Sequence, residues 1–500
     1  MGYIDRRDFI KNVLFAATTN LVLCDGFTLA GSAAPPTNSK SLPKVTISRT
    51  DRCFMTKDAR PFIPFGLTYY RPGTGWAPQV WKQFDAEATR KDFGRMKALE
   101  VNCVRVFLSY GSFYMDPGQL STTGLAKFDQ FLEMAEEAGI YVHVTGLSEW
   151  EGPPNWSPVA IEDERTLQAL ESFWRLFAEK YGSRNVILAY DLANEPSVGW
   201  NEAMKPAWNT WLQKRYKTQQ ELERAWSRAN QLELGTVPVP LSVNAPGNRE
   251  ILDFQNFREE LADEWTRRQA AAIKSVDPHA LVTVGAIQWS IPSLLPIGPQ
   301  YYSGFRPGRQ AKYLDFLEMH FYPLVNGAYE YRNREEEAAN LAYLEGIVRE
   351  TARPGKPVIL AEFGWYGGGK PNFDKGSHPF ASEGQQARYC RQVVETSKGF
   401  VSGWMNWGFY DHPGAGDVSE LTGLLTRDGK TKAWGKVFQD LAGKLNQRDL
   451  TPPRIGPRPN LDWDACVTSV QAGKEFRQAY LRAFLADEGL NSNEQHNWAI

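Results

Sequence analysis

The chain has 500 residues, of which 42% are hydrophobic and 23% charged, which is typical of a globular protein with one large core or two smaller ones. Its formal net charge of -2 provides no basic field for a nucleic-acid backbone or an anionic membrane surface. This composition excludes a disordered or fibrous chain, and we expect neither nucleic acid nor lipid as a partner.

The N-terminal segment, residues 1–34, resembles a twin-arginine-type signal peptide. Arg6, Arg7, Phe9 and Lys11 lie on the export motif, a short apolar stretch follows, and small residues precede the expected cleavage point at the end of the segment. An ordinary amphipathic first helix is the alternative. The signal predicts a periplasmic or extracellular protein. No later stretch is apolar for long enough to cross a bilayer, so we expect no membrane association of the mature form.

Cysteine usage leaves the redox state open. Cys24 follows Leu23, which is too large for the usual lipoprotein pattern, so a lipid anchor is disfavoured. Export would bring the remaining cysteines into an oxidising compartment, where three disulfide connectivities are possible. These cysteines are Cys53, Cys103, Cys390 and Cys466. Their spacing fits no zinc pattern.

Eight short apolar runs bounded by turn signals predict β-strands. They are residues 62–70, 103–110, 141–147, 186–195, 280–286, 316–323, 357–364 and 399–409. Between them, apolar residues at three- and four-residue spacing predict helices, for example at 87–100, 125–139 and 165–182. Eight alternations of a buried strand with a helix favour the α/β class and a closed (β/α)8, or TIM, barrel. A doubly wound open sheet is the alternative, but no Gly-rich fingerprint follows the first strand.

Three further segments complete the predicted organisation around a catalytic domain at 44–445. Residues 44–62 look like a hairpin that closes the barrel floor. Residues 200–253 form a helical insertion after strand four, which we expect beside the barrel mouth. Residues 446–500 read as a Pro-rich linker followed by an amphipathic helix, which predicts a C-terminal helical tail rather than a domain.

Two predicted strands end on a carboxylate. Glu195 lies where strand four emerges and Glu362 where strand seven emerges, and in such a barrel these ends face each other across the mouth. Cleavage of a glycosidic bond needs two carboxyl groups, one to protonate the leaving oxygen and one to attack the anomeric carbon or to activate water. The pair therefore predicts a glycosidase, with retention of configuration if the two groups are about 5 Å apart.

The stretch LAYDLANEPS, residues 188–197, resembles the signature of the retaining family 5 glycoside hydrolases. The resemblance covers roughly residues 44–445. It implies that Glu195 is the acid/base catalyst, that Glu362 is the nucleophile of a double displacement, and that Asn194 binds the 2-hydroxyl of the sugar at the cleavage point.

The same resemblance assigns roles to residues on other predicted strands. Arg105, in strand two, would keep Glu362 ionised through a charge-assisted hydrogen bond. Tyr322 and His320 come from strand six: the tyrosine would donate to Glu362, and the histidine would contact the sugar or the acid/base. Trp407, at the end of strand eight, would stack on the sugar ring.

Two departures from the family pattern bear on the substrate. Many family 5 members carry a histidine at the exit of strand three, whereas His143 lies in the middle of that strand here. The insertion around 211–226 is similar to the corresponding segment of family 42 β-galactosidases. Both families use the same two strand ends, so the predicted catalytic pair is unaffected.

The sequence therefore predicts a secreted retaining β-glycosidase acting on β-linked glycans or oligosaccharides, with β-mannan as the first expectation. An exo-acting β-galactosidase or β-glucosidase is the enzymatic alternative, and a carbohydrate-binding protein without catalysis is the other. We expect a saccharide partner and neither cofactor nor metal. The oligomeric state is not determined by the sequence.

Overall fold

The structure is a computed structural model that describes residues 41–48, 52–58, 60–74, 77–152, 154–156, 160–228, 232–323, 329–446 and 455–491. The predicted signal peptide, Cys24 and the first part of the predicted linker lie outside these residues. The described helices include none with the length and apolar character needed to cross a membrane.

Eight parallel strands form the barrel. They are β1 (Phe65–Thr68), β2 (Cys103–Ser109), β3 (Tyr141–Ser148), β4 (Ile187–Asn194), β5 (Val282–Gly285), β6 (Leu317–Phe321), β7 (Val358–Phe363) and β8 (Gly403–Asn406). Neighbouring strands pair in the order β5-β4-β3-β2-β1-β8-β7-β6. The ring closes between β5 and β6 through the Ile287–His320 bridge and the bond from the His320 N–H to the Ala286 carbonyl at 2.8 Å. The predicted TIM barrel is confirmed.

Helices surround the strands. The longer ones are α1 (Ala86–Ala98), α2 (Thr122–Ala138), α3 (Glu164–Tyr181), α4 (Lys205–Tyr216), α5 (Gln219–Trp226), α6 (Arg249–Val276), α7 (Arg334–Ala352), α8 (Glu383–Ser397), α9 (Ala433–Asn446), α10 (Trp463–Thr468) and α11 (Val470–Asn491). Helix α3 shows why such segments fold: the Asp163 side chain caps its N-terminus by accepting from the Thr166 N–H at 2.9 Å. Its apolar stripe includes Trp174, which packs edge-on against Tyr190 of β4 at 5.7 Å.

The segment predicted to close the barrel floor forms a three-stranded antiparallel sheet rather than a simple hairpin. Its strands are Val45–Ile47, Phe54–Thr56 and Pro61–Phe62. Val45 and Phe54 are buried and join a cluster with apolar side chains from the barrel strands, among them Phe316 at 5.2 Å from Phe54. The floor of the barrel is therefore an apolar plug, which leaves the opposite end open for polar groups.

One of the predicted strand–helix alternations is absent. Between β5 and β6 the chain forms only the 3-10 turns Gln288–Ser290 and Pro299–Tyr301 and the one-turn helix Pro307–Gln310. The C-terminal helices lie beside this connection: α10 contacts α6, and α11 contacts α7. A Cβ on Gly473 of α11 would lie 2.9 Å from the Ser293 carbonyl oxygen, so glycine permits the close approach. The tail thus covers the flank of the barrel that lacks a helix.

A buried ion-pair network fixes this tail. The Arg458 side chain, 2% exposed, donates to Glu345 of α7 at 2.7 Å and to Asp487 of α11 at 2.6 Å. Tyr480 donates its hydroxyl to the same Glu345 carboxylate at 2.8 Å. Because several charge-assisted bonds join α7 to α11, the tail is docked through polar as well as apolar contacts.

The insertion predicted after strand four contributes α4 and α5, which pack on the start of α6. The Trp208 ring stacks on Trp211 at 5.3 Å and on Trp226 at 6.1 Å, and it meets Phe254 edge-on at 5.1 Å. The indole N–H of Trp226 donates to the buried Asp253 carboxylate at 2.8 Å. The insertion is therefore held to the crossover helix by an aromatic core.

The four cysteines outside the N-terminal segment form no disulfide with one another in the described part of the chain. Cys103, Cys390 and Cys466 are buried thiols, and burial raises the pKa of each. A raised pKa keeps them protonated and poorly reactive.

Candidate active site

The barrel mouth brings together the two glutamates that the sequence singled out. Glu195 follows β4 directly, and Glu362 lies near the end of β7. One carboxylate oxygen of each residue and a ring nitrogen of His320, in β6, all lie within 4.8 Å of one another. The carboxyl ends of parallel strands meet at one edge, which is why residues so far apart in sequence converge here.

Backbone irregularities set the orientation of both glutamate side chains. The pairing of β7 shifts between Leu360 and Glu362 on the β6 side, and an extra residue at such a point turns a side chain away from the regular alternation. Glu195 has a φ of 49°, which is uncommon for a residue other than glycine. Its N–H donates to the Gly285 carbonyl of β5 at 2.8 Å, which fixes this conformation. Such strained conformations concentrate at functional sites.

The Glu362 carboxylate is held at both oxygens. Arg105 donates from Nη1 to Oε1 at 2.7 Å, and the Tyr322 hydroxyl donates to Oε2 at 2.8 Å. All three side chains are buried. Donors on both oxygens fix the carboxylate in one orientation at the mouth.

The Arg105 guanidinium also reaches β4. Its Nη2 donates to Asp191 Oδ2 and to Asn194 Oδ1, each at 2.9 Å. Burial opposes the charge of the guanidinium, but the carboxylates of Asp191 and Glu362 outweigh it, and the pKa of Arg105 lies above its usual value. One permanent cation therefore ties β2, β4 and β7 together below the mouth.

Two further predicted residues line the same space. The side-chain oxygen of Asn194 is used by Arg105, which leaves the amide nitrogen to donate to a ligand. The Nδ1 atom of His320 lies 3.2 Å from Glu195 Oε1 and 3.4 Å from Glu362 Oε1, so the imidazole stands between the two glutamates.

Trp407 follows β8 directly, and its backbone N–H donates at 2.8 Å to the carbonyl of Phe363, the residue after Glu362. Its indole N–H donates to Ser419 Oγ at 2.9 Å. Its ring lies 5.5 Å from the ring of Tyr70 and 5.9 Å from that of Phe107. These contacts hold the indole in one orientation, as a stacking platform requires.

The profile of the family Cellulase (glycosyl hydrolase family 5) matches residues 64–410. The match spans all eight barrel strands and every site residue described above. The chain belongs to glycosyl hydrolase family 5.

A second comparison links part of this family 5 chain to a β-galactosidase. The protein "Beta-galactosidase GalA" of Bacillus licheniformis is 25% identical over 198 residues, which is 38% of this chain. The matched part spans 28% of the length of GalA.

Solved structures with the same barrel include both mannosidases and galactosidases. The exo-β-1,4-mannosidase Op5Man5 from Opitutaceae bacterium strain TAV5 has a TM-score of 0.60 at 19% identity and covers 90% of this chain and 71% of its own. A GH5_18 protein from Streptomyces cattleya, in complex with Manb1-4GlcNAc, has a TM-score of 0.59 at 19% identity and covers 86% of this chain and 92% of its own. The β-galactosidase from the psychrophilic Marinomonas ef1 has a TM-score of 0.63 at 15% identity and covers 86% of this chain and 68% of its own. At these identities the likeness shows the fold alone.

The third strand of this family 5 barrel departs from the usual pattern, as its sequence indicates. His143 is fully buried inside the barrel, with Nε2 2.5 Å from Glu318 Oε1. The loop after β3 packs toward β2 instead: Trp150 meets Phe107 at 5.2 Å, and the Trp156 indole donates to the Met115 carbonyl at 2.7 Å. Aromatic side chains therefore occupy this side of the mouth.

Sequence reasoning missed two buried residues of the site. Asp191 is fully buried and accepts bonds from Arg105 and from the Thr145 hydroxyl, both at 2.9 Å. An ionisable residue in the middle of the apolar run of strand four was the available signal. Tyr70, also fully buried, lies beside Trp407, and burial raises the pKa of its hydroxyl, so it remains a donor. Nothing in its local sequence distinguishes it from other core tyrosines.

Two groups of metal-ligand-type side chains occur in the described part of the family 5 domain. One is Glu195, His320 and Glu362, and the other is His143, Asp191 and Glu318. The oxygens of Glu362 already accept from Arg105 and Tyr322, and Arg105 places a permanent positive charge beside both groups. Their donor sets fit hydrogen bonding and ion pairing better than cation coordination.

Proposed function

We propose that this protein is a retaining β-glycosidase that cleaves β-linked oligosaccharides or glycans by double displacement. The observation that carries the proposal is the approach of Glu195 and Glu362 to within 4.8 Å at the mouth of a family 5 barrel. Retaining enzymes keep their carboxyl groups about 5–5.5 Å apart, whereas inverting enzymes separate them by about 6.5–9.5 Å to admit a water.

In the first step, a Glu362 oxygen attacks the anomeric carbon while Glu195 gives its proton to the departing glycosidic oxygen. The bond from the anomeric carbon to that oxygen breaks as the bond to Glu362 forms. Arg105 and Tyr322 support this assignment because they hold Glu362 ionised and fix its orientation before attack.

In the second step, Glu195, now ionised, removes a proton from water, and the water oxygen displaces Glu362 from the anomeric carbon. Two inversions leave the configuration unchanged. His320, in contact with both glutamates, is suited to respond to the change of charge on Glu195. Turnover requires an ionised Glu362 and a protonated Glu195, so we expect a bell-shaped pH profile.

Substrate positioning falls to the remaining residues. The free amide nitrogen of Asn194 is suited to donate to a sugar hydroxyl next to the anomeric carbon, where such a bond strengthens as charge develops. The Trp407 ring offers an apolar face to the C–H side of the sugar.

For the substrate we propose a β-mannoside first. Two solved structures with the same barrel, an exo-β-1,4-mannosidase and a GH5_18 protein in complex with Manb1-4GlcNAc, support this class. A β-galactoside is the second candidate. It is favoured by the partial match to GalA and by the helical insertion between β4 and α6, which adds α4 and α5 to the loop side of the barrel.

We further propose that the protein is exported. The support is the pair Arg6 and Arg7 before an apolar stretch and a small-residue exit. Replacing both arginines with lysine should retain the precursor in the cytoplasm of a host with a twin-arginine pathway, as measured by cell fractionation. Unchanged export of the double variant contradicts the proposal.

The deciding experiment measures product release from β-mannan, β-glucan, xylan and galactan and from aryl β-mannoside, β-glucoside and β-galactoside. Wild type is compared with Glu362→Ala and with Glu87→Ala, a matched change at a side chain that is 80% exposed. We expect activity that Glu362→Ala abolishes and Glu87→Ala preserves. Proton NMR of the first product should show the β-anomer.

Other outcomes separate the alternatives. A first product in the α-configuration would refute the double displacement. Substantial activity in Glu362→Ala would refute the assignment of the nucleophile. Saccharide binding by the wild type without turnover on any substrate would support the carbohydrate-binding alternative instead.

A further inference from the structure

A second charged layer lies inside the barrel, beneath the glutamates of the mouth. His143 of β3 and Glu318 of β6 are both fully buried, and Nε2 of the histidine lies 2.5 Å from Oε1 of the glutamate. His143 is the pairing partner of Arg105 on the neighbouring strand. TIM barrels fill this interior mainly with branched apolar side chains, so a buried contact between a histidine and a carboxylate here calls for a reason.

Asp191 completes this layer. Ligand-type atoms of His143, Asp191 and Glu318 all lie within 4.8 Å of one another. The Asp191 oxygens are already engaged: Oδ2 accepts from Arg105 and Thr145, and Oδ1 accepts from the Gly285 N–H at 2.7 Å. With those lone pairs used and a guanidinium alongside, the layer fits ion pairing better than cation coordination.

The charges of the interior do not balance with Arg105 alone. The carboxylates of Asp191, Glu362 and Glu318 all act on that single guanidinium. Three buried carboxylates around one cation would compete for it, because a buried charge without a partner is strongly destabilising. A ring nitrogen of His143 lies within 4.8 Å of carboxylate oxygens of both Asp191 and Glu318, so a positive charge on this imidazole would compensate them.

The other titratable groups that face this layer do not supply the missing positive charge. Glu195 and His320 belong to the mouth above it, and the Tyr322 hydroxyl donates to Glu362. The Cys103 thiol lies on the floor side, and burial raises its pKa, with Glu318 adding to the effect. His143 is therefore the group best placed to balance Glu318.

We propose that His143 is a second buried cation that neutralises Glu318 and thereby reserves Arg105 for Glu362. His143 and Glu318 are positioning residues in this scheme, because neither contacts the reacting atoms. The inference rests on the proposed role of Glu362 as nucleophile, and it explains how that carboxylate stays ionised although two other buried carboxylates lie near its arginine.

The direct test is nitrogen-15 NMR of histidine-labelled wild-type protein, with the His143 signals identified by their loss in His143→Leu. We expect both ring nitrogens of His143 to be protonated near neutral pH. A neutral ring at that pH overturns the proposal. This measurement does not depend on any enzymatic activity.

The functional test compares the acidic limb of the kcat/KM pH profile, on the best aryl β-glycoside, in three variants. In His143→Leu, Glu318 loses its partner and should compete with Glu362 for Arg105. The midpoint of the acidic limb should then rise by about one pH unit. Glu318→Leu should not raise the limb. The double variant His143→Leu/Glu318→Leu should return the limb toward the wild-type position, although all three leave similar packing changes.

A purely structural role would lower the melting temperature in each variant without moving the limb, and that result overturns the proposal. If His143→Leu does not fold, His143→Gln tests the same loss of charge with a polar side chain in place. Glu362→Gln separates the failure of the proposed nucleophile from the failure of the proposed charge balance. Activity retained in Glu362→Gln refutes the assignment of Glu362 as the nucleophile. An inactive Glu362→Gln, together with an unmoved acidic limb in His143→Leu, refutes only the role of His143.

Discussion

Replacement of Arg105 with lysine probes how the site holds its nucleophile. The guanidinium donates in two directions at once, from Nη1 to Glu362 at 2.7 Å and from Nη2 to Asp191 and Asn194 at 2.9 Å each. A lysine keeps the positive charge but concentrates its donors on one nitrogen. That nitrogen cannot occupy both guanidinium positions, so contact with either Glu362 or the β4 residues is lost.

The expected fall in kcat/KM follows from the hydrogen bonds that are lost. A hydrogen bond to a charged group contributes about 1.5–3 kcal/mol. At about 1.4 kcal/mol per factor of ten, loss of one such bond to Glu362 lowers kcat/KM by about 10- to 150-fold. The retained charge should spare the fold, because a buried cation still lies near the carboxylates of Asp191 and Glu362.

The assay is kcat/KM on an aryl β-glycoside, with thermal unfolding measured in parallel to confirm that the variant is folded. Arg267→Lys is the matched control, because Arg267 forms an ion pair with Glu264 in which both side chains are 49% exposed, and we expect it to behave as wild type. A folded Arg105→Lys enzyme with kcat/KM within about threefold of wild type would refute the bidentate role of the arginine.

Three further predictions concern other parts of the molecule. Trp407→Ala should weaken binding of a saccharide ligand by about 2 kcal/mol, roughly 30-fold in Kd, because it removes a buried aromatic face; an unchanged Kd by calorimetry contradicts the stacking role. Burial lowers the pKa of His412 from 6.5 to about 4, so the unfolded chain gains a proton in that interval that the folded chain does not. The free energy of unfolding should therefore fall by up to about 3 kcal/mol as the pH drops through it, and His412→Gln should lack this decline. If urea unfolding shows that the free energy of unfolding changes equally with pH in wild type and His412→Gln, this role of His412 is refuted. Arg458→Ala should cost about 3–5 kcal/mol of stability by leaving Glu345 buried without its partner, whereas Arg267→Ala, in an ion pair with both side chains 49% exposed, should cost less than about 1 kcal/mol. Equal melting temperatures for these two variants would show that the buried pair does not hold the tail.

The sequence predicted the candidate catalytic pair from patterns of neighbouring residues. Glu195 and Glu362 each end an apolar run, and a barrel requires such ends to face one mouth. Asp191 escaped notice although it stands within the same run as Glu195, because the partners that make a buried carboxylate tolerable come from β2, β3 and β5. No local pattern reveals partners that distant.

Apolar runs and turn signals by themselves determined the barrel, its eight strands and the two strand ends that carry carboxylates, because such runs are properties of the chain over short distances. Tertiary structure alone decided the approach of Glu195 and Glu362 to within 4.8 Å, the buried contact between His143 and Glu318, and the docking of α11 beside the connection that lacks a helix. These features depend on close packing and charge compensation between segments hundreds of residues apart, and such contacts are specified by the whole fold rather than by any one stretch of it.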